Sequence, residues 1–214
     1  MPSKGSVVPV TRFLSRRFGS VQAAIFLLSR RLLSQRLDRL TAYLEQMKKG
    51  ETEMHDLKIV APAGEPIIVM TRSFKAPREL VWKALSEPEH LVRWWGPHSH
   101  KNEVLEFDWR AGGTWRIKST MPDGNAITFF GEHLEIDKPN TVTQTFSFDG
   151  VPDGAHSVDT VVLEQIGDRT LYIGVSRLPS VEARDGMIAS GMEVGMVEGF
   201  ERLDKILEEF KVTA

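Results

Sequence analysis

Cysteine is absent from this 214-residue chain, which excludes a disulfide-stapled fold, a thiolate metal site and a thiol nucleophile. No stretch reaches the roughly 18 apolar residues that a membrane-spanning helix needs. The longest greasy run, Val21 to Leu28, is cut by Arg30 and Arg31. Gly-rich phosphate loops, a Gly-x-Ser-x-Gly elbow and His-Glu-x-x-His are also missing. With neither cysteine nor a secretory apolar segment with a cleavage site, the expected location is the cytoplasm. What is present is 41% hydrophobic and 26% charged residues, enough for the core of one large or two small domains.

Charge divides the chain. Residues 1–53 carry ten Lys/Arg against four Asp/Glu, and no acidic residue precedes Asp38. The remainder carries 17 against 25, a net of −8. An acidic body repels nucleic-acid phosphates, so no nucleic-acid partner is expected.

Residues 1–53 form a basic extension with one helix expected over about 20–48. Val21, Ile25, Leu28 and Leu32 recur at helical spacing. Leu33, Leu37, Leu40, Leu44 and Met47 then step by four and three, the spacing of a short coiled-coil seam, and Gly50 supplies a stop. Two exposed heptads are marginal alone, so the seam calls for the body or a second copy, the latter making a homodimer. An Arg- and Ser-rich, acid-poor start also fits an organellar transit peptide. The stretch Arg36 to Lys49 resembles the last dimerisation helix of ArsR-type repressors, although no winged helix precedes it. The favoured reading is a non-native or mis-started extension, because Met54-His-Asp-Leu-Lys reads as a natural start.

The body, residues 65–211, reads as α+β. Ile67 to Phe74 is a β-branched strand, Pro77 opens a helix over Arg78 to Ser86, and Pro88 opens a second from Glu89 to Trp94. Leu105, Phe107 and Trp109 alternate with Glu106, Asp108 and Arg110, which predicts one buried strand face. Strands follow at Trp115 to Ile117, Ile127 to Ile136, Val142 to Phe148, Val158 to Gln165 and Leu171 to Val175, joined by short turns. A helical region over Ser180 to Lys211 closes the chain. Gly191, Gly195 and Gly199 fall four apart on one face of it, which implies either close approach to the sheet or a space left there. The order β-α-α-β6-α predicts a curved antiparallel sheet wrapped around one long C-terminal helix.

Six motifs carry a resemblance. They are Phe74-Lys-Ala-Pro-Arg-Glu-Leu-Val-Trp82, Pro88-Glu-His-Leu-Val-Arg-Trp-Trp-Gly96, Asp108-Trp-Arg-Ala-Gly-Gly-Thr-Trp115, Met121-Pro-Asp-Gly124, Gly131-Glu-His-Leu-Glu-Ile136 and the tail Gly191 to Asp204. In this order they resemble the SRPBCC (START-like) helix-grip superfamily and, within it, the activator of heat-shock protein 90 ATPase homologue family. Where that family usually shows Gly-Trp in the last helix, this chain has Gly199-Phe200. The resemblance implies a helix-grip fold with a ligand cavity between sheet and last helix. It does not carry over chaperone activation, because nothing in residues 1–53 looks like the separate chaperone-binding domain of the eukaryotic namesake.

The expected function is therefore binding of a small apolar or aromatic molecule in that cavity. Its expected lining is Trp94, Trp109, Trp115, Phe129, His133, Phe146, Met192, Met196 and Phe200, with Trp95, Phe130 and Phe148 also converging. His133, Trp115 and Arg116 are the reachable polar anchors, though Arg116 alternates outward on this register. An enzyme of cyclase, aromatase or hydrolase type using the same cavity is the second expectation. It stands second because no nucleophile or acid–base pair is visible in the sequence. A chaperone-associated stress-response module is the third. His98 and His100 would share a face in an extended stretch but lack a third ligand, so neither metal nor cofactor is assigned. The acidic residues fall on alternating strand positions and read as a solvated face.

Overall fold

The structure, a computed structural model, describes residues 57–152 and 154–212. The expected helix at about 20–48 and its dimer seam lie outside the described residues. In chain order the elements are β1 (Lys58–Val60), β2 (Ile67–Phe74), α1 (Arg78–Ser86), α2 (Pro88–Trp94), β3 (Lys101–Phe107), β4 (Thr114–Thr120), β5 (Ala126–Asp137), β6 (Thr141–Phe148), β7 (Ser157–Ile166), β8 (Arg169–Arg177), α3 (Val181–Ala189) and α4 (Met192–Val212).

Short turns force consecutive strands to pair antiparallel, and the eight strands join in the order β1-β2-β8-β7-β6-β5-β4-β3. Residues two apart along each strand share a face, which divides the sheet cleanly. Ile68, Met70, Arg72 and Phe74 of β2 point to the side that holds the helices, in register with Ser176, Gly174, Tyr172 and Thr170 of β8. Val81, Trp82 and Ala84 of α1, Leu91 and Trp94 of α2 and Phe200, Leu203, Ile206 and Leu207 of α4 fill the same core. This is the expected curved sheet gripping a long C-terminal helix, with β1 as an additional edge strand.

Three local expectations are corrected. Leu105 does not join the buried face: a β-bulge between Val104 and Glu106 shifts the alternation, so Val104 and Phe107 point in and Leu105 is 48% exposed. The terminal helical region is two helices, because Gly191 adopts a positive φ of 82° that ends α3 and restarts the chain into α4. The glycine face meets α2 and its following loop rather than the sheet. At Gly199 an added Cβ would stand 2.8 Å from the Trp94 carbonyl oxygen, and at Gly195 it would stand 3.5 Å from Pro97.

Polar ties set the ends of this frame. Ser180 Oγ caps α3 by accepting from the Ala183 amide at 3.1 Å. Buried Arg184 of α3 donates to the carbonyls of Pro62 and Glu65, each at 2.8 Å, which fastens α3 to the turn before β2. Arg72 of β2 pairs with Asp204 of α4 at 2.5 Å, joining the sheet to its central helix.

Candidate functional site

The interior is not uniformly filled. Phe74, Ile117 and Leu163 are 0–1% exposed, whereas Phe129, Gln144, Phe146, Asp159 and Val161 are only partly buried. Yet the strand register turns these five residues inward as well. Side chains that face the helix side but keep solvent exposure are packed less tightly than the core beside them.

The aromatic rings fall into three neighbourhoods, the first and third joined where Trp94 meets Trp95 at 5.9 Å. Trp95, Trp115, Phe129 and Phe146 form a connected set, with centroid separations of 5.9 Å (Trp95–Trp115), 5.8 Å (Trp95–Phe129), 6.0 Å (Trp115–Phe146) and 5.8 Å (Phe129–Phe146). Phe148 extends it. Trp109 stacks on Phe107 at 5.5 Å and meets His133 at 4.6 Å. Trp94 and Phe200 belong to the filled part with Phe74 and Tyr172, and the Trp94 Nε1–H donates to the Ala84 carbonyl at 2.9 Å. Met196 packs against both buried clusters, while Met192 lies with Ile68 and Met70 nearer the β2 end. Phe130 does not converge: strand parity turns it to the outer face, where the Arg116 guanidinium sits 4.9 Å from its ring. Arg116 is thereby removed as an interior anchor.

Gly131 shapes the aromatic set. An added Cβ there would stand 2.8 Å from Trp115 Nε1 and would collide with the Thr145 carbonyl, so only glycine lets the indole lie across β5. Among the described residues the buried Trp115 Nε1–H has no hydrogen-bond partner.

A polar row crosses the concave face. His133 of β5 is opposite Gln144 of β6, which is opposite Asp159 of β7, which is opposite Ser176 of β8. Neighbouring strands lie about 4.8 Å apart, so four polar side chains stand in one line. His133 is 1% exposed, and among the described residues only the Gln144 side chain opposite it approaches a ring nitrogen, without closing a well-formed hydrogen bond. Burial lowers its basicity, only partly offset by Gln144 and the Asp108 charge. Burial pushes the Asp159 carboxyl up to about 6, against hydrogen bonds from Ser157, whose hydroxyl lies at 2.9 Å, and Ser176. Tyr172 lies over Gly174, where an added Cβ would meet its hydroxyl at 3.1 Å. Burial and the Asp159 charge together hold the pKa of that phenol well above its ordinary value, making it a weaker acid.

Asp159 corrects the sequence reading of the carboxylates as a solvated face. In the first half of β7 the outward residues are Val158, Thr160 and Val162, so in Ser-Val-Asp-Thr-Val-Val the polar and apolar positions do not sort by face. The missed signal was that inversion. His98 and His100 diverge, the first toward Glu201 at 3.4 Å and the second toward Ser119 Oγ at 3.1 Å. Glu87, Glu89 and His90 do gather their ligand atoms within 4.8 Å at the start of α2. On the outer face a hollow of about 110 Å³ lies between Phe130, Thr145, Pro152 and His156, separate from the interior.

A long helix gripped by a curved antiparallel sheet defines the helix-grip fold of SRPBCC type, a ligand-binding fold. The chain belongs to the family of activator of Hsp90 ATPase homolog 1-like proteins, whose profile matches residues 75–208. Solved structures with the same fold include a protein from Arthrobacter aurescens, 27% identical with TM-score 0.65, covering 71% of this chain and 91% of its own. A Rhodobacter sphaeroides protein is 25% identical with TM-score 0.66, covering 72% and 99%. Protein Ms6760 from Mycobacterium smegmatis is 23% identical with TM-score 0.66, covering 71% and 97%. No curated protein matches the chain. Among the described residues no helix is long and apolar enough to cross a membrane.

Proposed function

We propose that this protein binds a small aromatic molecule in the hollow between β5–β7 and α4. The observation that carries the reading is the partial exposure of inward-facing Phe129 and Phe146 beside a tightly filled core. Trp115, Phe129 and Phe146 supply ring faces and edges, Met196 an adaptable wall, and Trp94 and Phe200 the packed floor. Met192 closes the β2 end, and Trp109 shields His133. Apolar burial at about 25 cal/mol per Å² drives association, and the partly exposed Gln144 and Asp159 orient the ligand. A carboxylate flanked by Ser157 and Ser176 selects a hydroxyl or amine donor on the ligand.

Ligand-detected NMR on the full chain with 2-naphthol and 2-methoxynaphthalene tests the reading. Saturation transfer to both, stronger for 2-naphthol, supports an aromatic hollow with a polar pole. No transfer to either compound, with the protein folded, removes it.

The row His133-Gln144-Asp159 favours one second reading. A carboxyl with its pKa near 6 and a histidine held neutral by burial are suited to moving a proton on a bound substrate. Turnover of a bound naphthol-like substrate that collapses in Asp159→Asn without loss of binding is the expected signature.

A further inference from the structure

We propose that the residue 21–48 segment of the same chain docks on the outer face of the sheet, making a third layer over β2, β8 and β7. The outer face is built for burial. Ile67, Val69, Val162, Leu171 and Ile173 all point away from the gripped helix, and each is only 1–4% exposed. None belongs to either cluster that holds the helices, whose strand members all point inward. Among the described residues no element lies over them. β2 reads Ile-Ile-Val-Met, a continuous apolar run rather than an alternation, which is the pattern of a strand covered on both faces. Sheets of that kind are stable only with a layer on each side.

Three features select the occupant. The described chain begins at Leu57, immediately before β1, which pairs with β2 at the edge of this same field. Residues 49–56 reach up to about 28 Å when extended, enough to turn back over the face. The stripe Leu33, Leu37, Leu40, Leu44 and Met47 runs about 21 Å on a helix, and Val21 to Met47 about 39 Å. Strands here run about 26–33 Å, so one helix of about 10 Å diameter covers two to three of them. A second copy could offer the same stripe, and the test separates the two.

The cysteine-free chain permits single-thiol labelling. Val162→Cys reports the outer face and Leu134→Cys, on an exposed position, is the control. In the full chain the thiol at 162 is expected to react with maleimide at least about 10-fold slower than at 134, independent of protein concentration. Adding Leu37→Asp and Leu40→Asp brings the two rates within about twofold. Hydrogen exchange on the unsubstituted chain, with slowed amides across residues 25–47, checks the same contact without relying on a variant. Equal labelling rates in the parent, or free exchange across 25–47, overturn the proposal. Protection that disappears on dilution also overturns it and assigns the face to a second copy.

Discussion

Gly199 of α4 lies against the main chain of Trp94, close enough that an added Cβ would stand 2.8 Å from the Trp94 carbonyl oxygen. The contact closes α2 onto the gripped helix, beside the Phe200 ring that packs on Phe74 at 5.4 Å. Gly199→Ala sets two effects against each other. Alanine favours the helix by about 1 kcal/mol, whereas a backbone clash of this kind costs about 1–3 kcal/mol. Neither backbone can yield locally, so the variant is expected to lose about 1–2 kcal/mol, read by urea denaturation. Equal or higher stability would show that α2 moves away freely.

Asp159 predicts a pH dependence. Its carboxyl is raised from 3.8 to about 6 in the fold, so the unfolded chain releases this proton first. Its effect is therefore benign below pH 3.8, becomes destabilising as pH rises from about 4 to 6, and stays so above. Asp159→Asn keeps an acceptor for Ser157 without the charge. It should match the parent near pH 4 and exceed it by about 1–3 kcal/mol at pH 8, by thermal melts across the range. A constant offset between the two proteins would contradict the assignment.

His133 acts with the opposite sign. Its folded pKa lies below the ordinary 6.5, so stability declines as pH falls below about 6.5, where the unfolded imidazole takes up a proton first. Among the described residues the ring also buries two nitrogens without a well-formed hydrogen bond. His133→Leu removes both costs and is expected to be neutral to about 1–2 kcal/mol more stable at pH 7. The gain should be larger at pH 5.5, and calorimetry at the two pH values measures it. Destabilisation at both would mean that the imidazole makes an interaction worth more than its burial costs.

Phe146 tests the hollow. Truncation to alanine removes the ring that bridges Trp115 and Phe129 at 6.0 and 5.8 Å. Isothermal titration with 2-naphthol should show about tenfold weaker binding, whereas Phe130→Ala on the outer face should leave it unchanged. An equal loss in both variants would place the ligand elsewhere.

Much of this architecture could be read along the chain because local patterns are sufficient for it. Prolines 77 and 88 open α1 and α2, Gly-rich turns separate strands of period two, and the last helix carries Phe200, Leu203, Ile206 and Leu207 inward. The candidate site was less legible. Trp115, Phe129 and Phe146 do meet, but Trp94 and Phe200 fill the core and Phe130 faces out. One bulge, between Val104 and Glu106, was enough to turn Leu105 to solvent. A period-two pattern states that two faces differ, not which rings touch across strands.

The sequence by itself determined most element types and their order, though not β1 or the break at Gly191, together with the family and the handful of aromatic residues available to an interior. It did so because propensity, turn chemistry and hydrophobic periodicity act within a few residues of each other. Only the tertiary structure decided that His133, Gln144, Asp159 and Ser176 form one line, since cross-strand register joins positions far apart in the chain. It also decided that Asp159 faces inward, where low polarity rather than a neighbouring charge raises its pKa. The close approach of Gly199 to Trp94 is likewise a product of helix packing, which depends on both partners at once.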